Sequence, residues 1–507
     1  MLHTDILYFV YKSIRITLPF TRLSAIIGRV WRSTLHICYK GGILVKTSKW
    51  DKIKRSLASG LVAVVAMLGF VIPAQANQAP VKAPQVSSWS ISVLNEGEKY
   101  GIFPLTWYTD GTFQQPISTD KFQALLKATS AKLDALELKK KNTFTAPATE
   151  KVITRESVIN AVYGVLDQYE LPESMNIGTD EPVAFFQKKG IVNGTGKGLD
   201  LDKPSTVEQA VVMASRLVEY TYDAVDGGAK GLLWKATKGQ NTLYLLGSIH
   251  VGTPDMYPMK KSVRDAFKQA DSLWVEANLL GNKDMDYFTQ SMAYADGTTL
   301  KDHVSKETYA KLQKALEQMQ LPKDVFDGFK PWAISNSLTL AGMTGSAEEM
   351  TQAAALGIDS YFINSALLAG KPVHELEGLK LQADIFNKVP VATQEKELND
   401  ALDHMLTPTG KPDESMELLQ SWQKLWVKAD LDQFTKSFIS SEEMTQTDSA
   451  KRLFGERDKN MAKKLMELLD KEGSATHFVV VGAGHYVIQD MVVDQLKANG
   501  YQVEFVK

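Results

Sequence analysis

The hydrophobic pattern of this chain changes character near Gly231. Between about residues 88 and 222, apolar residues recur at the spacing of amphipathic helices. From Gly231 onward, short apolar runs of strand length take over: "NTLYLLGSIH", "DSLWVEANL" and, at the far end, "HFVVV" and "YQVEFV". "SVRDAFKQA" reads as a helix between the first two, and another helix follows "VVVGAGH". The long middle, roughly Lys283 to Asp470, reads as helical with charged amphipathic segments. Strands at both ends of one segment, with helices between them, predict a mixed α/β (α+β) core whose two ends pair in one sheet.

The helical part contains three weakly similar units. Units one and three share a helix ending at Gly101 or Gly190, a Gly/Asp loop, and a Ser or Thr before a second helix. Ser118, Thr154 and Ser205 sit where an N-cap is wanted, and Glu156 and Glu208 fall in the first turn. The units resemble degenerate S-layer homology (SLH) repeats over about residues 88–222. The matching residues are Gly190-Ile191, Asn193-Gly194, Gly198, Thr206 to Ala210 and "ITRE" at Ile153–Glu156. The resemblance implies binding of an anionic cell-wall polymer, with an arginine as partner for its charge. Only unit two keeps that arginine, Arg155; units one and three read "STDK" and "STVE". The plainer reading is a helical spacer. "NGTGKG" (Asn193 to Gly198) is not a P-loop, because Ile occupies 191 and Gly follows the Lys; it reads as an interhelical loop.

Charge is unevenly spread over the 507 residues: Met1 to Ala76 holds 11 Lys/Arg and 2 Asp/Glu, the remainder 46 and 57. An acidic body argues against a nucleic-acid partner. Residues 45–76 carry a signal-peptide pattern: Lys52, Lys54 and Arg55, an apolar run from Leu57 to Ile72, then Ala74-Gln75-Ala76. Residues 1–44 are expected to be an extension ahead of the true start, near Val45. The mature chain is expected to be secreted and envelope-associated, with 77–88 as a linker. An uncleaved anchor is the alternative. Cys38, the chain's one cysteine, lies in the extension, which leaves no disulfide, thiolate nucleophile or Cys-bound zinc downstream.

The chemistry is expected in the second half. A strand followed by Gly-x-x-His and a helix occurs twice: Gly247-Ser248-Ile249-His250 and Gly482-Ala483-Gly484-His485. Glycine at a strand's C-terminal end lets the chain turn sharply where α/β proteins gather ligands. Imidazole is the commonest metal ligand and acid/base group near neutral pH. Glu276, within the apolar "LWVEANL", requires a partner because burying a lone carboxylate is costly. If the two ends are an internal repeat, Glu504 in "YQVEFVK" mirrors Glu276; solvation on an edge strand is the simpler account. There is no His-Glu-x-x-His ("HELEG" at His374 lacks the second His) and no Gly-x-Ser-x-Gly elbow.

These segments resemble the TraB/GumN/Tiki family over about residues 231–507. The match rests on "YLLGSIHVGT", "WVEANL", "KPWAISNSLTL", "GIDSYFINSALLAGKPVHELEGLKLQ", "LFGERDKNMAKKL" and "VVVGAGHYVIQDMVVDQLKANGYQVEFV". The resemblance implies an erythromycin-esterase/ChaN-like fold, and the animal members are metal-dependent proteases. It implies a site of His250, Glu276, His485 and Arg457, supported by Gly247, Gly482, Asp359 and Glu377. The family usually has "ERN" where this chain has "ERD", so Asp458 is a departure. His250, Glu276 and His485 are the expected ligands of a divalent ion (Mn, Co, Zn or Fe) that activates water, and Arg457 the group facing the developing oxyanion. Peptides or proteins are the expected substrates. A non-catalytic peptide binder and a metal-independent esterase with His as base remain the rival readings.

Overall fold

The computed structural model describes residues 85–147, 152–194, 198–281, 283–344, 347–407, 414–438 and 448–506. The extension, the signal pattern, Cys38 and most of the linker lie outside the described residues.

Among the described residues, five α-helices form the first region: α1 (Ile91–Lys99), α2 (Thr119–Asp134), α3 (Arg155–Asp167), α4 (Pro182–Lys188) and α5 (Val207–Ala224). Helix α5 is its centre. Val211, Ala214, Leu217 and Val218 are fully or almost fully buried there, and α1, α2 and α3 pack around it. Ser118 and Thr154 cap α2 and α3 as expected, accepting from the backbone N–H groups of Lys121 and Ser157. Ser205 does not cap α5. That role falls to Thr206, which exchanges hydrogen bonds with Gln209 in a capping box. Ser205 is instead held by its neighbours, its N–H donating to the Ile153 carbonyl and its own carbonyl accepting from Ile117. Arg155 is buried, its Nε 2.6 Å from the Leu199 carbonyl. Residues 193, 194 and 198 lie in the loop between α4 and α5.

The second region begins with a hairpin the pattern did not predict: β1 (Leu232–Lys238) and β2 (Asn241–Ser248), joined through Gly239 at φ +60. Then come α6 (Lys261–Gln269), β3 (Ser272–Val275), α7 (Met285–Met292), α8 (Lys306–Gln318), α9 (Pro331–Thr344), α10 (Ala347–Ala355) and α11 (Ile358–Leu368). The helical middle is broken by a short strand, β4 (Val373–Glu375), another departure from the sequence reading. Helices α12 (Leu379–Asn387), α13 (Val391–Leu406), α14 (Glu414–Lys428), α15 (Leu431–Ser437), α16 (Asp448–Leu453) and α17 (Glu456–Leu469) follow. The chain closes with β5 (Thr476–Gly482), α18 (Gly484–Val487), α19 (Val492–Ala498) and β6 (Gln502–Phe505).

The sheet is mixed, in the order β4-β3-β5-β2-β1-β6. The two ends of the segment do pair: β2 runs parallel to β5, and β1 antiparallel to β6. Strand β5 is central, with Phe478 to Val481 completely buried, as an apolar run covered on both faces must be. Glu504 lies opposite Lys235 at the solvated edge of the sheet, so it does not mirror Glu276. The main core is continuous across both regions, and a smaller one fills the space between α8, α9 and α13. Polar ties reinforce the seam. Lys132 Nζ donates to the Pro254 carbonyl at 2.6 Å, Arg264 to Glu219 at 2.7 Å, and the Tyr361 hydroxyl to Glu96 at 3.2 Å.

Candidate active site

The parallel pairing of β2 and β5 decides where the two Gly-x-x-His stretches meet. The register places Ser248 opposite Gly482, and the Ala483 N–H donates to the Ser248 carbonyl at 3.0 Å. Both strand ends therefore open at the same carboxyl edge. The glycines serve proximity rather than an unusual turn, since neither Gly247 nor Gly482 has a positive φ. A Cβ on Gly247 would stand 3.1 Å from Cα and Cβ of Ala483. A Cβ on Gly482 would stand 3.4 Å from both His250 Nε2 and Glu276 Oε1, and 3.7 Å from His485 Cδ2. The space in front of Gly482 is thus the point on which the two histidines and the glutamate converge.

The two histidines reach it differently. His485 lies in the single turn α18, while His250 lies in a loop that continues through a short 3-10 turn before α6. The matched helices of the sequence reading are therefore not matched in detail. Glu276 stands one residue beyond β3, rather than within it. Its backbone carbonyl accepts from the N–H groups of Glu377 and Gly378, both at 2.9 Å, just after β4. The unpredicted strand β4 is what brings that clamp to Glu276.

Each histidine is oriented from behind by an aspartate. His250 Nδ1 is 2.5 Å from Asp359 Oδ2, and His485 Nδ1 is 2.8 Å from Asp458 Oδ1. A donor proton fixed on Nδ1 leaves Nε2 to face the cavity, the arrangement that orients metal-ligating histidines. Asp359 is set by the first turn of α11, where the Ile358 N–H donates to the Ile249 carbonyl. Asp458 is completely buried, and its other oxygen accepts from the Gly455 N–H at 2.8 Å. The residue that departs from the family pattern is therefore a partner of His485, a role the sequence reading missed. Its only signal was an acidic side chain at the start of an amphipathic helix.

Burial works against charging either histidine, but the facing carboxylates outweigh it. Asp359 with Glu276, and Asp458 with Glu276, hold His250 and His485 above the ordinary imidazole pKa. Glu276 Oε1 accepts from the Gly482 N–H at 3.1 Å and lies 3.2 Å from His485 Nε2. His250 Nε2, Glu276 Oε2 and Ser248 Oγ are buried with no hydrogen-bond partner. Such atoms cost roughly 1–3 kcal/mol each when left unmet.

Arg457 is engaged elsewhere than at the convergence point. Its Nε and Nη2 meet Glu377 Oε1 and Oε2 at 2.8 and 2.6 Å, and its Nη1 donates to the Leu453 carbonyl at 2.8 Å. Burial pushes the Glu377 carboxyl up and Arg457 more than reverses it, leaving it below the usual range. Glu377 in turn lends its N–H to the Glu276 carbonyl. Arg457 thus braces the loop that positions Glu276. His374 of "HELEG" is exposed on β4 and packs against Trp274, with ring centroids 4.7 Å apart.

A cavity of about 30 Å³ lies over the site, against roughly 10–15 Å³ needed to hold one water. Ser248, His250 and His485 line it together with Trp422, Phe434, Phe438 and Phe454. Among the described residues, no three His, Cys, Asp or Glu side chains are closed around a point as in a finished metal site. One spacing in the donor set is nevertheless that of two ligands of a divalent ion, as well as that of an ion pair. Two ligands of one ion at about 2.1 Å stand about 3.0–3.4 Å apart, and His485 Nε2 and Glu276 Oε1 are 3.2 Å apart. In the neutral imidazole the orphaned His250 Nε2, with Glu276 Oε2, would supply the remaining lone pairs, so an ion would have to displace the proton that the carboxylates favour.

Over 210 residues the chain is 28% identical to the uncharacterized protein YbaP of Escherichia coli (strain K12), covering 41% of this chain and 70% of the relative. The YbaP protein of Shigella flexneri matches with the same identity and coverage. No solved structure matches the chain. The TraB/PrgY/gumN family model matches residues 232–505, from the first residue of β1 to the last of β6, and the chain belongs to that family.

Proposed function

We propose that this chain is a hydrolase that cleaves peptide bonds with a divalent metal ion held by His250, Glu276 and His485. The observation that carries the reading is the pair of histidines, each fixed at Nδ1 by a buried aspartate, that meet Glu276 at a point where buried polar atoms go unmet. An ion there supplies polarisation of a carbonyl and a water of lowered pKa. The chain's own residues do the rest. Asp359 and Asp458 keep both Nε2 atoms aimed inward. The Gly482 N–H and the carbonyl clamp from residues 377 and 378 hold Glu276 in place. Arg457 acts through Glu377 as a positioning residue. Trp422, Phe434, Phe438 and Phe454 exclude water and favour an apolar side chain beside the carbonyl that is attacked.

A metal-free esterase with Ser248 as nucleophile is disfavoured, because its Oγ has no base within hydrogen-bond reach; one with a histidine as base toward water is set apart from the metal reading by its indifference to a chelator. The signal pattern supports export and the absence of Cys after residue 38 suits it, so the site is proposed to work outside the cytoplasm. The helical region is proposed as a spacer. Its one family-like arginine, Arg155, is spent on the Leu199 carbonyl.

The test is hydrolysis of a peptide library with apolar residues at varied positions, with and without a chelator. The expected result is cleavage that chelation abolishes and added divalent ion restores. Cleavage indifferent to chelation would overturn the metal, and no cleavage in any condition would favour a binding role.

A further inference from the structure

We infer that Ser248 is a further catalytic residue, whose hydroxyl donates a hydrogen bond to the substrate carbonyl oxygen as negative charge develops on it. The inference rests on the hydrolase reading above. Ser248 closes β2 directly opposite Gly482, so its Cβ leaves the sheet on the same face as the missing Cβ of Gly482. That face is the convergence point of His250, Glu276 and His485. Ser248 lines the same cavity as both histidines. The residue is 3% exposed, and its Oγ has no hydrogen-bond partner.

A hydroxyl normally finds a partner when buried, because a rotating O–H adapts to any nearby acceptor. Thr129, Ser215 and Thr221 do so here, donating to the carbonyls of Leu125, Val211 and Leu217 four residues back at 2.7, 2.8 and 2.7 Å; Ser365 Oγ and Tyr486 Oη are unmet like Ser248 Oγ, and of these three residues Ser248 is the one that lines the cavity with both histidines. Ser248 has no such outlet, since it ends an extended strand, where no carbonyl four residues back lies within reach. No base lies in reach to make it a nucleophile, so the role left is that of a fixed donor. A donor that is unmet in the resting protein and met by the oxyanion is the preorganised type that lowers a barrier without reorganisation.

The experiment compares wild-type protein, Ser248→Ala and Ser248→Thr for peptide hydrolysis, bound divalent ion and melting temperature. The alanine variant is expected to lose about 100-fold in kcat, with KM and metal content little changed. Its melting temperature should stay the same or rise, because an unmet group has been removed. Threonine, which keeps the hydroxyl, should recover a large part of kcat. An active wild type whose alanine variant keeps its kcat would overturn the role and leave the hydrolase reading intact. So would an alanine variant whose melting temperature falls with its kcat, which would mark a structural hydroxyl. A wild type that neither binds metal nor cleaves any peptide removes the hydrolase reading and this role with it.

Discussion

The helical region and the carboxyl edge of the sheet both bury polar side chains, and they treat them in opposite ways. In the helical region the buried groups are met. Glu208 accepts from Ser87 N–H and hydroxyl at 2.9 and 2.7 Å and from Ser90 Oγ at 3.2 Å, Arg155 reaches Leu199, and Gln168 reaches Ser130 and Val165. Asn95 Nδ2 is the one unmet buried side-chain atom there, among the described residues. At the sheet edge, Ser248 Oγ, His250 Nε2 and Glu276 Oε2 are all unmet, and Ser248 and His250 line one small space. Met polar groups hold a fold together. Clustered unmet ones lower stability and persist where a ligand completes them.

The largest effect is expected where a met pair is broken. Arg457→Ala leaves Glu377 charged and buried without its counter-ion, with the Gln382 amide as its remaining side-chain partner, which costs about 3–5 kcal/mol. Denaturant unfolding should show that loss, and a change under about 1 kcal/mol would mean the pair is idle. Arg155→Ala removes one donor from a half-buried carbonyl, together with stem packing. About 1–3 kcal/mol is expected on the same measurement, with no change in metal binding. If Arg155→Ala altered metal binding, the separation of the two regions would fail.

A smaller stability effect with a large functional one is expected from Gly482→Ala. Its Cβ would sit at van der Waals distance, 3.4 Å, from His250 Nε2 and Glu276 Oε1, in backbone that tolerates a side chain. The melting temperature should hardly move while ion binding is lost by calorimetry. Retained binding would show that the convergence point is elsewhere.

The smallest effect concerns the seam. Burial and the nearby Glu219 raise the Glu96 carboxyl to about 7, against the opposing influence of Tyr361, Arg264 and Lys99. A raised carboxyl binds its proton more tightly when folded, so its contribution weakens as pH rises from 4.5 through 7. Glu96→Gln should therefore stabilise the protein more at pH 8 than at pH 5. Equal melting shifts at the two pH values would contradict this.

Local pattern made the strongest elements legible. The apolar runs of β2 and β5, the two Gly-x-x-His stretches and Glu276 stand out in the sequence. The caps at Ser118 and Thr154 do as well. Elements decided by distant contacts were harder to see. Strand β4 is three residues long and exists because β3 is beside it, while β1 interleaves Lys and Thr with its apolar residues. Ser205 and Thr206 are adjacent hydroxyls, and only the bond to Ile153 decides which one caps. Asp458 could not be matched to His485, because a hydrogen bond between residues 27 apart leaves no periodic trace. The role expected of Gly247 and Gly482 was conformational. Their requirement for space appears only once two strand ends are side by side.

The central claim is that His250, Glu276 and His485 complete themselves with one divalent ion. The most direct measurement is the metal content of wild-type protein and of Glu276→Gln after equilibration with a mixture of Mn, Co, Zn and Fe ions. The account predicts one ion bound per wild-type chain, with a rise in melting temperature on binding, and loss of both in the variant. A folded wild type that takes up no ion, or a variant that takes up as much as the wild type, would contradict it.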